Sequence, residues 1–372
     1  MATLVVSLSP PHDRSGALPA PEIDPDLARA ATLPSAWYLD PSALAREREA
    51  VFARTWQLAA RLDELRSPGD FVTTDVAGEP VLVVRGAERL RAMSAVCRHR
   101  AGPVASGSGN RRSFRCGYHG WTYDLEGRLL AAPEFEGVVG IDRDKVRLPE
   151  FRLENWGPFA FVNLDDDAVP LAEWMKEIVA RAAAFQLGNL HRAEGREYLV
   201  HCNWKVYVDN YLEGYHIPIV HPALFRELDY ARYRVEAYDS ACAQIAPMRR
   251  GGEGRQYADP AEQEKGAAYF WVFPNLMLSL YPDNLQVNLV RPEGHERTRV
   301  LFEWYVAGGG ERRLLSALEL AEQVQREDAA ICEAVQRGLA SRTYDRGRYS
   351  VARENGVHHF HRLLARFLAF RT

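Results

Sequence analysis

The 372-residue chain is predicted to be α+β, a small antiparallel β module followed by a larger domain in which helices lie on an antiparallel sheet. Three observations predict this. From Gln57 to about Asn163, short apolar runs alternate with Gly and Pro (FVTTDVAG, PVLVVRG, RSFRC, WTYDLEG, WGPFAFVNL), as antiparallel strands joined by tight turns such as Glu126-Gly127 do. Strand-like runs return later at REYLVHCNW, AYFWVFPNLMLSLY, LQVNLVRP and RTRVLFEWYV. A long helix-period pattern over Arg312–Gly338 and a shorter one over His359–Phe370 close the chain.

Taken in order, residues 1–35 hold six prolines and little periodicity, and are expected to be a flexible leader. Residues 36–56 are expected to supply an N-terminal helix over Asp40–Thr55 that packs with the second domain. Pro41 fits its first turn, and Leu44, Val51 and Phe52 make an apolar stripe. The β module then spans 57–165 and the larger domain 166–372, with a helix near Leu171–Phe185. The composition is 47% hydrophobic and 26% charged, with a net charge of -4. That balance offers no basic surface for nucleic acid and no polybasic membrane patch. No run approaches the roughly 18 apolar residues of a spanning helix. The opening MATLVVSLSPPHD has no basic region before its apolar run, so cytoplasmic residence is expected. Five cysteines (Cys97, Cys116, Cys202, Cys242, Cys332) are too few and odd in number for a disulfide framework.

Two of them stand beside histidines. Cys97-Arg-His99 and Cys116-Gly-Tyr-His119 lie in two loops separated by sixteen residues and flanked by Gly102, Pro103, Gly117 and Gly120. Buried cysteines near satisfied histidines are one reading, and a Cys₂His₂ zinc site is another. Zinc ligand pairs are usually two to four residues apart, which Cys97-x-His99 does not match. A Rieske [2Fe–2S] centre is the third, because it takes two Cys on one iron and two His on the other.

The stretch NWKVYVDNYLEGYHIPIVH, Asn203–His221, carries a second cluster. Read as a helix, it places Asp209, Glu213 and His216 on one face of an otherwise apolar segment. His216 and His221 would stand about 140° apart on a regular helix, so Pro218 is expected to break the helix between them, with Ile217 outside it. Two histidines leave a metal under-ligated, and a facial triad needs one carboxylate more. The late helix offers Asp328 on its apolar stripe (Leu314, Leu318, Ala321, Gln325, Asp328, Cys332, Val335, Leu339), with Glu327 turned about 100° away toward solvent. A structural Asp328 paired with Arg337 is the alternative.

The pattern C-x-H-x16-C-x-x-H followed by Gly120-Trp121, together with Glu213-x-Tyr215-His216-x4-His221, resembles the Rieske non-haem iron oxygenases, the family of aromatic ring-hydroxylating alpha subunits. Within it, LPSAWYLDP, VCRHRAGPVASGSG, EDAAICEAVQRGL, YDRGRYS and ENGVHHFH are most similar to choline monooxygenases. The resemblance implies a Rieske domain and a helix-grip, START-like catalytic domain. It implies Cys97, His99, Cys116 and His119 as [2Fe–2S] ligands, and His216, His221 and Asp328 as ligands of a mononuclear Fe(II). Glu213 is then the acid that links the iron site to a cluster histidine, His119, of a neighbouring subunit. Asp209 could share that task or orient His216, and Asn210 could line the site. The family further implies a homotrimer or a multiple of it. The reaction is O₂-dependent hydroxylation or oxidative demethylation of a small aromatic compound or quaternary amine. Electrons come from a separate reductase or ferredoxin, which agrees with the lack of an NAD or flavin glycine fingerprint in the sequence.

Phe270, Trp271, Phe273, Asn275, Met277 and Tyr281 are candidates for walls of a substrate cavity, by cation–π contact or as plain core. His358, His359 and His361 are expected at a surface or interface. The rival class is a non-catalytic Rieske electron-transfer or sensor protein, which would need neither His216 and His221 nor Asp328. A zinc-stabilised binding module is a third, which metal analysis would separate.

Overall fold

The computed structural model describes residues 18–183, 187–246, 267–280, 284–307 and 311–369. Strands drawn from residues 57–163 build a seven-stranded antiparallel sheet in the order Gln57–Arg61, Phe159–Asn163, Glu150–Trp156, Leu90–Ser94, Glu79–Arg85, Asp70–Val76, Ser108–Asn110. The run PVLVV does not alternate because both faces of its strand are covered. Leu82 and Val84 face one core with Phe114 and Trp121, while Val81 and Val83 face another with Ala92 and Val162. A small three-stranded sheet, Phe114–Arg115, Thr122–Tyr123 and Leu129–Ala131, carries the second Cys/His loop.

The second seven-stranded antiparallel sheet runs His191–Val200, Arg297–Val306, Asn284–Gly294, Leu276–Leu280, Ala267–Val272, Ala241–Ala246, Arg234–Ala237. One face packs on Leu171, Met175, Ile178 and the first sheet's Phe159 and Phe161. The other takes the helices Trp204–Tyr211, Glu311–Leu339 and Asn355–Ala369, together with Pro41–Ala50. Trp204 is the pivot of that face, 5.0 Å from the Phe52 ring and 5.6 Å from the Phe360 ring. Asp40 caps the Pro41–Ala50 helix through its side chain, and Pro41 lies in the first turn as expected. Among the described residues no helix is long and apolar enough to cross a membrane.

Four expectations are corrected here. Residues 18–35 of the leader are not loosely draped. Ala30 and Leu33 are buried, and Thr32 and Ser35 donate backbone bonds to Gly347 and Asp345, so hydrophobic burial outweighs the proline content. Residues 1–17, Phe185, Tyr281 and Phe370 lie outside the described residues. The helix from Asn203 ends at Tyr211, before Glu213. Pro218 does not break a helix but sits in the first turn of a new one, Ile217–Val220, where the missing N–H costs nothing. His358 and His361 are buried, since they share the apolar face of the last helix with Phe360, Leu363 and Leu364.

Candidate metal centres

The two Cys/His loops are built alike. Cys97 N–H donates to the Gly102 carbonyl (2.8 Å) and Ala101 N–H to the Cys97 carbonyl (3.1 Å). Cys116 N–H donates to the Trp121 carbonyl (2.8 Å) and Gly120 N–H to the Cys116 carbonyl (3.1 Å). The fourth residue after each cysteine has positive φ, +53° at Ala101 and +75° at Gly120. The loops touch closely. A Cβ on Gly102 would stand 2.8 Å from Cys116 Sγ, which only glycine avoids. Both cysteines are buried, and the His99 and His119 rings lie 4.6 Å apart. Trp121 stacks on His99 at 5.0 Å. His99 Nδ1 is buried without a partner among the described residues, an arrangement that a bound metal would satisfy. The donor set, two thiols and two imidazoles, fits a [2Fe–2S] cluster of Rieske type. The Tyr123 hydroxyl accepts from Arg98 N–H (3.0 Å) and lies 3.3 Å from Cys97 Sγ, where it can donate to a thiolate. His119 is exposed at the tip of this lobe beside Tyr118, and desolvation, then His99 and Arg100, depresses its pKa below the usual imidazole range.

The second centre is assembled from a broken segment and the long helix. Gly214 lets the chain turn after Tyr211, because a Cβ there would lie 2.7 Å from the Tyr233 ring. His216 then sits just before the one-turn helix Ile217–Val220, and His221 just after it. Their rings meet 5.1 Å apart. His221 Nε2 lies 3.0 Å from Asp328 Oδ1 and His216 Nε2 lies 3.9 Å from it, with the three donor atoms all within 4.8 Å of one another. Ligand bonds of about 2.1 Å to a divalent ion put neighbouring donors ~3 Å apart, so two imidazoles and a carboxylate at these separations fit one ion.

The outer nitrogens of both rings are held by acids. His216 Nδ1 bonds Glu213, which also accepts from His216 N–H at 3.1 Å. His221 Nδ1 donates to Glu327 Oε2 at 2.6 Å. Glu327 was expected to face solvent, and this corrects it. His221 stands at the flank of the long helix, so the two successive acids Glu327 and Asp328 grip opposite edges of its ring. Burial alone would depress the His221 pKa, but Asp328 and then Glu327 outweigh it and raise the value. Burial pushes the Glu327 carboxyl up, and bonds from His221 and Gln323 more than reverse that. Asn210 donates to Asp328 Oδ1 at 2.6 Å. Asp209 does not reach His216. It points to the other side of its helix, where it accepts from Tyr38 (2.7 Å) and His361 (2.9 Å).

A cavity of about 200 Å³ opens beside His216, His221 and Asp328. Its wall includes one straight row across the second sheet, Gln244, Tyr269, Ser279, Gln286 and Trp304, each paired with the next. Tyr211, Tyr233 and Phe302 add aromatic surface. None of the described wall candidates lines it. Phe270 faces the other side of the sheet, and Trp271, Phe273 and Met277 lie in the helix-side core, Trp271 and Phe273 against Phe360, while Asn275 is tied to the Val290 carbonyl. The signal that could have found the true lining is polarity out of place: Gln244, Ser279 and Gln286 interrupt apolar strands.

Two family models match the chain, a Rieske [2Fe-2S] domain over residues 55–150 and a ring hydroxylating alpha subunit catalytic domain over residues 187–369. The chain is 34% identical to the chloroplastic choline monooxygenase of Arabidopsis thaliana, covering 92% of this chain and 85% of that one. It is 33% identical to the carnitine monooxygenase oxygenase subunit of Escherichia coli K12, covering 90% and 93%. Among solved structures it superposes on the quaternary ammonium Rieske monooxygenase CntA bound to L-carnitine with a TM-score of 0.78 and 28% identity, over 92% of this chain and 97% of that one. Naphthalene 1,2-dioxygenase, at 19% identity, 91% and 93% coverage and a TM-score of 0.73, shares the fold.

Proposed function

The chain belongs to the Rieske non-haem iron oxygenases as a ring-hydroxylating-type alpha subunit, and on that premise we propose that its substrate is a small quaternary amine. It is an oxidoreductase with a Rieske [2Fe–2S] cluster and a mononuclear iron, and it works with O₂ and a separate electron donor. When bound, the cluster delivers single electrons and the mononuclear iron activates oxygen.

The observation that carries the substrate reading is the cavity. Tyr211, Tyr233, Tyr269 and Trp304 surround it, and no Lys or Arg stands among its described lining residues. A quaternary ammonium is drawn to such rings by roughly 0.5–2 kcal/mol each. The similarity to choline and carnitine monooxygenases supports the same reading.

Our assignment gives each residue a task. Cys97, His99, Cys116 and His119 hold the cluster, and Tyr123 donates to a ligand sulfur. His216, His221 and Asp328 hold the iron. Glu213 and Glu327 fix the imidazole orientations through Nδ1, and Asn210 fixes Asp328. The buried aromatic wall excludes water around the reacting methyl group. Glu213 also reaches toward a cluster histidine of a neighbouring subunit in a homotrimer. Exposed Tyr118 and His119 on one lobe, with exposed Tyr215 and Ile219 around the Glu213 turn, support that docking. The domain limits 57–165 and 166–372 are part of the same proposal.

The test is substrate-dependent oxygen consumption with NADH and a generic reductase, across choline, carnitine, other quaternary amines and aromatic acids. Stimulation by a quaternary amine is expected. Stimulation by aromatic acids with none by any quaternary amine would overturn the substrate reading.

A further inference from the structure

Among the described residues, several polar side chains of the cavity wall hydrogen-bond one another or the backbone. Tyr233 donates to Gln244 Oε1 (2.7 Å), and Gln244 Nε2 donates to the Tyr211 carbonyl (2.5 Å). Trp304 Nε1 donates to Gln286 Oε1 (3.0 Å), and Gln286 Nε2 donates to Asn288 Oδ1 (2.9 Å). Gln325 breaks the pattern. It is 2% exposed, lines the same cavity, and lies one turn before Asp328 on the long helix. Its Oε1 accepts from Tyr207 at 2.5 Å, while its Nε2 has no partner among the described residues. The Tyr207 hydroxyl keeps its proton, because burial and then the Asp328 charge raise its pKa far above that of an ordinary phenol. The hydroxyl donates to Gln325 Oε1, and the amide NH₂ group is left over. A buried donor without an acceptor is costly, and such groups in folded proteins meet a ligand or water.

We propose that Gln325 Nε2 is a specificity donor that hydrogen-bonds an oxygen atom of the substrate, a hydroxyl or carbonyl, and so sets which carbon stands beside His216, His221 and Asp328. Tyr207 is its positioning residue. The inference rests on the cavity being the substrate site, and it adds to the quaternary-amine reading that the substrate carries an acceptor oxygen remote from the nitrogen. An aromatic site alone would accept any ammonium of suitable size. A single oriented donor distinguishes ligands that carry the oxygen from those that lack it.

The experiment compares ligand pairs that differ in that oxygen, by calorimetry on the full chain loaded with both metals and kept oxidised. Choline against tetramethylammonium is the charged pair, and benzyl alcohol against toluene the neutral pair. The wild type should prefer the oxygen-bearing member by about five- to tenfold, the worth of one hydrogen bond. Gln325→Leu should bring that ratio to within about twofold of unity. Gln325→Met, which keeps the length of the side chain but has no N–H, should bring the ratio there as well. A ratio within one protein is insensitive to losses of folded material. If neither cation binds the wild type, the quaternary-amine reading falls and the neutral pair decides. The proposal is overturned if the wild type shows no preference in either pair, or if both variants keep it.

Discussion

Glu327→Ala should weaken ferrous iron binding at the mononuclear site without touching the cluster. The structure sets the scale. Glu327 Oε2 accepts from His221 Nδ1 at 2.6 Å, a short, charge-assisted bond, and the carboxylate is 26% exposed and so only partly screened by water. Outer partners of ligating histidines are worth about 10–100-fold in metal affinity, or roughly 1.4–2.7 kcal/mol. Partial exposure places Glu327 toward the lower end, about 10–30-fold. Glu327→Gln keeps an acceptor and should lose only about three- to fivefold. The assay is competition with a ferrous chelator, and the visible spectrum of the cluster is the internal control. Asp328→Ala, which removes a proposed ligand, should abolish mononuclear iron while the cluster colour persists. Wild-type affinity in Glu327→Ala alongside loss in Asp328→Ala would show that the Glu327–His221 contact does not support the ligand, and the reasoning would fail.

Three further outcomes are expected. Tyr123→Phe removes a hydrogen bond to Cys97 Sγ that strengthens as the cluster gains an electron, so the cluster potential should fall by about 20–60 mV in a redox titration; an unchanged potential would remove Tyr123 from the cluster's electronics. Lys205 and Glu47 form a fully buried pair at 2.6 Å, with Trp204 Nε1 on the same carboxylate at 2.7 Å; Lys205→Met alone should cost about 3–5 kcal/mol in denaturant unfolding, and Lys205→Met with Glu47→Leu much less, whereas additive losses would contradict the coupling. His359 is depressed to about 4 by burial first and then by Arg362, so the unfolded chain takes up its proton before the folded one does, and stability should fall by roughly 2–3 kcal/mol between pH 6.5 and pH 4; His359→Phe should flatten that part of the profile, and a profile as steep as the wild type's would assign the acid loss elsewhere.

The clustering of the proposed ligand residues was legible because the chemistry constrains their types and spacing locally. Cys97 to His119 fall within one hairpin pair, and His216 and His221 within one turn of chain. Asp328 was legible because an acid on an apolar stripe is anomalous. What escaped needed register or direction. The cavity row Gln244–Tyr269–Ser279–Gln286–Trp304 exists only once five strands are paired, and no single strand shows it. Glu327 was misjudged because a helix position says which way a side chain leaves the axis, not what the neighbouring segment brings to it. The helix expected through Glu213 failed because Gly214 and Tyr233 make contact across a distance in sequence that periodicity does not sense. His361 looked superficial for a similar reason, since its partners Tyr38, Asp209 and Tyr349 come from three other segments.

That last network has a consequence for the order of events during synthesis. Every strand of the first sheet precedes residue 164, so the cluster-bearing part can emerge and fold before the second sheet is complete. The helix that carries Asn210 is clamped at Asp209 by Tyr38 from near the start of the chain and by His361 from near its end. Its final position therefore waits for the last helix to be released. The order of synthesis thus makes the residues of the first centre available well before those of the second, and a chain cut short before Asn355 would keep His216, His221 and Asp328 but lose the His361 clamp on the helix that carries Asn210.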